Sequence, residues 1–307
     1  MGRKKISLNH LTIARRFGDL RALEILKDAG FDAVDFGLEH LNVGYGIYSK
    51  SDEELVDYFE GVRRHADKIG IEIAQTHGRV STYRPEPENA EYNRSVLESA
   101  RKDLLATAAL GVKGCVMHSV TTYWFPDATG EFMHTFNKQM LDSMIPYAEK
   151  YGTYIALETF GDAPANGERV IDYFGDVLEL EKQYNMMDTK NKMLCMDTGH
   201  THKAHDVKPS VMDTVEAIYY LGDRIKLLHL NDNNGYNDQH LPPLWAGSYT
   251  GLKWGEVMKA LDDIGYEGVY NFELSYGYLG KMLDGNGIRF LGEYLRRFVD
   301  GDLAFDK

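Results

Sequence analysis

Side chains that can bind a metal ion or transfer a proton stand at the ends of six short apolar runs. The runs end in Ala74-Gln75-Thr76-His77, Val116-Met117-His118, Ala156-Leu157-Glu158, Cys195-Met196-Asp197, Leu227-Leu228-His229 and Asn271-Phe272-Glu273. Taken singly, each has a structural explanation: a hydrogen-bonded histidine, an aspartate that caps a helix, a solvated glutamate. Six successive occurrences favour another interpretation, because carboxylates that are buried together need a cation. Imidazole and carboxylate ligands suit Zn²⁺, Mn²⁺ or a related divalent ion.

Further ligand candidates follow two of these ends. His200 comes three residues after Asp197, on a turn that lets both side chains face the same cavity. After His229 comes a stretch rich in Asn and Asp that contains Asp238-Gln239-His240. Two more ligands can lie on one side of this segment, and an ordinary polar surface turn is the alternative explanation for it.

The elements that must position these residues alternate between strand and helix. Eight β-rich runs are predicted as strands: Ile6–Leu11, Ala33–Leu38, Ile71–His77, Gly114–His118, Tyr154–Phe160, Met193–Asp197, Ile225–Leu230 and Val269–Leu274. Between them, helical patterns end at Gly30, Gly70, Gly111, Gly152, Gly222 and Gly265. A glycine after the last helical turn is typical of the left-handed cap that returns a chain to a sheet.

Eight strand–helix units predict a single (β/α)₈ barrel that spans residues 1–307, with its active site at the C-terminal ends of the strands. A dinucleotide-binding sheet would carry a glycine-rich fingerprint after the first strand, where the chain has Asn9-His10-Leu11-Thr12 instead. Side chains alternate along a strand, so the polar ends should point into the barrel mouth. The residues predicted to fill the interior below it are Ala156, Tyr154, Cys195, Met193, Leu227 and Ile225.

Composition disfavours nucleic-acid-binding, disulfide-rich and membrane-spanning proteins. With 47 acidic and 34 basic residues the net charge is −13, which disfavours a nucleic-acid partner. The two cysteines exclude a disulfide scaffold and indicate a reducing compartment. An apolar run of the ~18 residues that a membrane span requires is absent from the sequence. We therefore expect a cytoplasmic protein without a membrane partner.

The order and spacing of Ala156-Leu157-Glu158, Met196-Asp197-Thr198-Gly199-His200, Leu228-His229-Leu230-Asn231-Asp232 and Phe272-Glu273-Leu274 resemble the xylose isomerase-like TIM barrels. This superfamily comprises sugar and sugar phosphate isomerases and epimerases, and also DNA repair enzymes of the endonuclease IV type. Similarity to the ketose 3-epimerase branch implies one divalent ion (Mn, Zn, Co or Mg) held by Glu158, Asp197, His229 and Glu273. It also implies that Glu158 and Glu273 act as acid and base, and that His200 contacts substrate.

The chain departs from the ketose 3-epimerase pattern in one segment. That branch carries an arginine shortly after the histidine of the seventh strand, where this chain has Asn233, Asn234, Gly235 and Tyr236. The identity of the substrate therefore does not follow from the resemblance.

The endonuclease branch is the alternative, because it uses nine ligands for three zinc ions. Its resemblance implies the set His77, His118, Glu158, Asp197, His200, His229, Asp238, His240 and Glu273. Abasic DNA is disfavoured as a substrate because two predicted mouth loops contain no lysine or arginine: Thr121–Thr129 and Gly235–Ser248. They carry Trp124 and Trp245 instead, which suit the apolar face of a sugar, although a hydrophobic lid explains them equally well.

The sequence thus predicts a metal-dependent isomerase or epimerase that moves a proton next to a sugar carbonyl through a metal-stabilised enediolate. His77, His118 and His200 would orient substrate hydroxyls. A barrel that only binds sugar is a third hypothesis, which the two glutamates disfavour.

Two surface features complete the predictions. Arg79, Arg84 and Lys203 lie in predicted mouth loops, where solvated surface charge is favoured over phosphate binding. Tyr278 and Phe290 suggest the face of a homodimer.

Overall fold

The computed structural model describes residues 3–41, 43–80, 82–247 and 249–303. The ends of the predicted 1–307 domain (residues 1–2 and 304–307) and Ser248 of the second mouth loop lie outside the described residues. In chain order the strands are β1 (Ile6–Asn9), β2 (Ala33–Gly37), β3 (Glu72–His77), β4 (Gly114–Met117), β5 (Tyr154–Glu158), β6 (Asp162–Ala165), β7 (Glu168–Ile171), β8 (Lys192–Asp197), β9 (Ile225–His229) and β10 (Tyr270–Phe272).

Eight of these strands form one parallel sheet in the order β10-β1-β2-β3-β4-β5-β8-β9. A parallel bridge between Leu230 and Phe272 joins the two outer strands, with the Leu230 N–H donating to the Asn271 carbonyl at 2.8 Å. The sheet therefore curls into a nearly closed barrel, and the predicted (β/α)₈ architecture is confirmed.

The helices between the strands are α1 (Leu11–Phe17), α2 (Asp19–Asp28), α3 (Asp52–Ile69), α4 (Ala90–Ala109), α5 (Gly130–Tyr151), α6 (Val177–Met186), α7 (Thr198–Val207), α8 (Thr214–Leu221), α9 (Trp254–Asp263) and α10 (Asn286–Val299). All six predicted terminal glycines have positive φ. Gly222 nevertheless departs from the prediction, because its ψ of −129° lies outside the left-handed region. A 3₁₀ turn, Gly222–Arg224, then separates α8 from the next strand. Among the described residues, no helix is both long and apolar enough to cross a bilayer.

The interior of the barrel has an apolar and a polar side. Val116, Ala156 and Cys195 form a small cluster of their own, against which Met193 and Leu227 pack, as the alternation of side chains predicts. Two residues that were also expected there lie elsewhere: Ile225 belongs to the larger core, and Tyr154 is only half-buried and outside the small cluster. The polar side consists of four buried side chains that belong to the neighbouring strands β10, β1, β2 and β3: Ser7, Asp35, Gln75 and Asn271.

An antiparallel hairpin, β6 with β7, interrupts the predicted repeat after β5. Its turn is Asn166-Gly167, with both residues at positive φ, a sequence signal that is typical of tight hairpins. Arg169 ties the hairpin to the barrel, since its Nη1 lies 2.9 Å from Asp206 Oδ2 at the end of α7. The hairpin is thereby held beside the C-terminal ends of β5 and β8.

Candidate metal centre

Four side chains from the ends of four barrel strands converge at the mouth: Glu158, Asp197, His229 and Glu273, here called the inner cluster. One potential ligand atom from each lies within 4.8 Å of the others. His229 Nδ1 is 2.9 Å from Glu158 Oε1, 3.3 Å from Glu273 Oε2 and 4.0 Å from Asp197 Oδ2. Side chains that are far apart in the sequence therefore share one small volume, as the barrel predicts.

Local structure explains how Asp197 is held. It is the N-cap of α7, where its Oδ1 accepts the His200 N–H at 2.7 Å, while Asn231 Nδ2 donates to its Oδ2 at 2.8 Å. Gly199 makes this arrangement possible, because a Cβ at that position would lie 1.9 Å from Asn231 Oδ1. Asp197 therefore caps α7 and also lies beside the other members of the inner cluster.

Neighbouring histidines set the ionisation of the two glutamates of the inner cluster. Burial raises the pKa of Glu158, but the His229 and His118 charges outweigh it and hold that pKa well below its usual range. In the same way the pKa of Glu273 is lowered, against burial, by His229 and His240. Burial raises the pKa of Asp197. Both glutamates are therefore ionised at neutral pH and available as bases or ligands.

His77 and His118 flank the inner cluster. His77 Nδ1 donates to the Gly78 carbonyl at 3.0 Å, which leaves Nε2 facing Glu158 Oε2 at 3.6 Å and Glu273 Oε1 at 3.5 Å. His118 Nε2 lies 2.9 Å from Glu158 Oε2. Burial lowers the pKa of His77, but Glu158 and Glu273 prevail and raise it to about 10. Both histidines can orient a bound molecule or hold a cation.

A second group, His200, Asp238 and His240, is here called the outer cluster. Asp238 Oδ2 lies 3.6 Å from His200 Nε2 and 3.4 Å from His240 Nε2. His240 reaches back to the inner cluster, because its Nδ1 donates to the Glu273 carbonyl at 3.0 Å. Asp238 and His240 thus face the site rather than forming part of an ordinary surface turn.

The residues present fit a divalent ion. The Glu158 side chain is fully buried, yet its Oε2 has no aligned hydrogen-bond donor among the described residues, and neither has the neighbouring His118 Nε2. A buried carboxylate oxygen without a donor is unfavourable, and a cation would satisfy it. The imidazole and carboxylate donors match the preferences of zinc and of manganese.

Several residues at the site were not singled out from the sequence. Asn231 orients Asp197, and Phe160 lies between His118 and His200 with ring-centroid distances of 5.2 and 5.3 Å. Glu39 follows β2, and burial raises its pKa. Asn231 and Phe160 each come two residues after a predicted ligand, so their positions in the sequence could have indicated that they lie at the site. Glu39 could not have been found in this way, because it follows a strand for which no ligand was predicted.

The three cations of the predicted mouth loops are not solvated surface charges, contrary to expectation. Arg79 is buried and donates to the Leu41 carbonyl. The guanidinium of Arg84 is packed against two rings, 3.6 Å from the centroid of Tyr92 and 4.5 Å from that of Trp124. Lys203, on α7 rather than in a loop, is buried and lies 2.8 Å from Asp162 Oδ1 and 3.4 Å from Asp238 Oδ1. All three have structural partners.

The predicted aromatic contacts lie at the rim. Trp124 is half-buried beside Arg84, and Trp245 is 42% exposed beside Tyr278 and Tyr294. Tyr278 and Phe290 are themselves largely exposed, which is compatible with a dimer face, and the homodimer stays a prediction.

Comparison with known proteins agrees with this architecture. An uncharacterized protein from Methanocaldococcus jannaschii is 28% identical over 211 residues, 67% of this chain and 66% of that protein's length. A solved D-tagatose 3-epimerase-like protein superposes with a TM-score of 0.70 at 21% identity, covering 98% of this chain and 100% of the other. An IolI protein solved with a bound zinc atom gives a TM-score of 0.70 at 17% identity, covering 98% and 99%. The model of the xylose isomerase-like TIM barrel family matches residues 23–294, and the chain belongs to that family.

Proposed function

We propose that this protein is a divalent-metal-dependent isomerase or epimerase that moves a proton next to the carbonyl of a sugar. The observation that carries the proposal is the convergence of Glu158 and Glu273 on His229 Nδ1, at 2.9 and 3.3 Å. Two ionised carboxylates and a histidine in one buried volume provide both the ligands and the bases for such a reaction. The sugar epimerases and isomerases of the same family support the choice of reaction.

Glu158, Asp197, His229 and Glu273 would hold the ion. When bound, a divalent cation acts as a Lewis acid that stabilises negative charge on the sugar oxygens. Glu158 and Glu273 extend from β5 and from the end of β10, so they can approach a substrate carbon from different sides. One would remove the proton and the other return it, which gives epimerisation, whereas action by a single glutamate favours isomerisation.

Surrounding residues support a sugar as the substrate. His77, His118 and His200 present ring nitrogens to the same cavity and would orient hydroxyl groups. Phe160, between His118 and His200, offers a ring for the apolar face of a sugar, and we keep Trp124 and Trp245 as candidate contacts at the rim. Because Arg79, Arg84 and Lys203 already have partners, we favour an unphosphorylated sugar.

A test of the proposal uses chelated protein reloaded with Mn²⁺, Co²⁺, Mg²⁺ or Zn²⁺ and assayed on a panel of ketoses that includes D-tagatose. In D₂O, proton transfer next to the carbonyl should introduce solvent deuterium into the product. The Glu273→Gln variant should fold normally and lose about 10²–10⁴-fold in turnover, because the general base is removed. Glu267→Gln, at an exposed position before β10, is the matched control and should keep full activity. Wild-type turnover by Glu273→Gln on the true substrate would refute the assignment.

The outer cluster supports a second candidate, a tri-zinc phosphodiesterase that acts on abasic DNA. Three groups of potential ligands lie around the mouth: the inner cluster, the outer cluster, and His77 with Glu158 and His229. Elemental analysis together with a nicking assay separates the candidates. Three tightly bound zinc ions and cleavage of abasic DNA would favour repair, one exchangeable ion with sugar turnover favours the epimerase, and bound metal with neither activity would indicate a sugar-binding barrel.

A further inference from the structure

The polar side of the barrel interior lies directly below the inner cluster. Asp35 Oδ2 accepts Asn271 Nδ2 at 3.0 Å and Gln75 Nε2 at 3.2 Å, and Ser7 donates to Asn271 Oδ1 at 2.6 Å. All four side chains are at most 1% exposed. A carboxylate buried in the interior of a barrel is unfavourable unless its charge has a partner.

The partner of Asp35 is a member of the inner cluster. Asp35 Oδ2 lies 3.3 Å from His229 Nε2, across the barrel from β2 to β9. The other ring nitrogen, Nδ1, faces Glu158 and Glu273. The imidazole therefore stands between the ligand group on one side and a fixed carboxylate on the other.

The contact between His229 Nε2 and Asp35 is close but is not an aligned hydrogen bond. Among the described side chains, His229 Nε2 and Asp35 Oδ1 are both buried and lack an aligned hydrogen-bond partner, although Asp35 Oδ2 is within reach of the ring. A small rotation of the imidazole would align Nε2–H with Asp35.

We propose that Asp35 is a positioning residue for His229, accepting its Nε2–H so that the Nδ1 lone pair is directed at the metal ion. A neutral imidazole carries one N–H, and the group that accepts this hydrogen decides which nitrogen is left to bind the metal. The inference rests on the proposed metal centre, because it assigns a role to a residue behind one ligand of that centre. Gln75 and Asn271 hold the Asp35 carboxylate in place for this role.

Asp35→Asn is the direct test, measured by calorimetric titration of the chelated protein with Mn²⁺ and Zn²⁺. In the variant an amide oxygen at the Oδ2 position can still accept from Asn271 and Gln75, but it is uncharged and therefore a weaker acceptor for His229 Nε2–H, while an NH₂ group at that position could not accept this hydrogen at all. Metal affinity should fall by about 10- to 100-fold, the usual effect of removing such a partner. Ser7→Ala is the matched control: it removes a hydrogen bond of the same buried network without touching Asp35, and should leave metal affinity unchanged.

Two results would overturn the inference without affecting the proposed function: equal metal affinity in Asp35→Asn and wild type, or an equal loss in Asp35→Asn and Ser7→Ala. If the wild type itself binds neither ion, the proposed function fails instead. A second measurement uses the unaltered protein, so that the test does not depend on the folding of Asp35→Asn. Histidine ¹⁵N NMR of the zinc-loaded chain, with His229→Gln for assignment, should show the proton of His229 on Nε2, and a proton on Nδ1 would contradict the assignment.

Discussion

The inner and outer clusters contain the same kinds of ligand but are held by different parts of the molecule. Three inner side chains are fully buried, and that of Glu273 is 17% exposed. In the outer cluster Asp238 is 42% exposed and His240 18% exposed. The inner residues stand at the ends of barrel strands, whereas Asp238 and His240 lie on the segment after β9. Rigid strand ends suit a permanent ion, while a loop suits contacts that change with the substrate.

The loop that carries the outer cluster is nevertheless ordered by the barrel. Asp232 accepts the Asn233 and Leu252 N–H groups, each at 3.0 Å, and Asp232 pairs with Leu241 in an antiparallel bridge. Within this frame His240 has φ = 46°, a left-handed conformation that is uncommon outside glycine. The bond from His240 Nδ1 to the Glu273 carbonyl accompanies that conformation. The outer cluster is thus positioned relative to the inner one through Glu273.

Removal of the metal should give the largest effect and tests whether the inner cluster is the ion site. Chelation should reduce sugar turnover by about 10³-fold or more, since the Lewis acid contributes several kcal/mol of transition-state stabilisation. Readdition of the divalent ion should restore turnover, which a steady-state assay of the dialysed protein would show. Full activity in protein shown by elemental analysis to be metal-free would contradict the proposed mechanism.

Substitution of one carboxylate in each cluster should show that the inner cluster contributes more to turnover than the outer cluster does. Glu158→Gln removes a ligand and a base, so turnover should fall by about 10²–10⁴-fold and metal affinity should weaken with it. Asp238→Asn removes a carboxylate that is partly exposed and paired with Lys203, and should reduce turnover by about 10-fold or less. Paired kinetics and metal titrations of the two variants measure the difference. Equal losses would mean that the clusters form one functional unit.

The pH dependence of stability should give the smallest effect. In the chelated protein, burial lowers the pKa of His240, but Asp238 and Glu273 prevail and raise it to about 9. Because this value lies above the ordinary one, the protonated ring contributes stability that is fully present below about pH 6.5 and is lost as the pH rises through about 9. Urea unfolding of the chelated protein should show a loss over this interval, to which His240 contributes on the order of 1–3 kcal/mol.

The variant His240→Asn isolates the contribution of His240 to that loss. It should make the decline of unfolding free energy with pH shallower, while the parts contributed by His77, with its pKa of about 10, and by His200 and His229, whose pKa values are also raised, should remain. An unchanged decline in the variant would show that His240 does not carry a proton in the folded, chelated protein.

The sequence alone predicted the repeat and the chemistry of the strand ends, because both are local. Each barrel strand was located within two residues at either end, since an apolar run bounded by glycine or polar residues directly indicates a strand. The alternation of side chains then directed Glu158, Asp197 and His229 to the same face as Ala156, Cys195 and Leu227. The β6–β7 hairpin could have been predicted too, from Asn166-Gly167.

Other features depended on which strands meet across the barrel. The arginine and lysine side chains of the mouth looked solvated in the sequence, yet Arg84 is packed between Tyr92 and Trp124 and Lys203 is buried beside Asp162. Asp35 looked like one polar residue in an apolar strand, and only the closed barrel brings it to His229. Periodicity tells which face a side chain occupies, whereas its partner on a distant strand depends on the register and closure of the whole sheet.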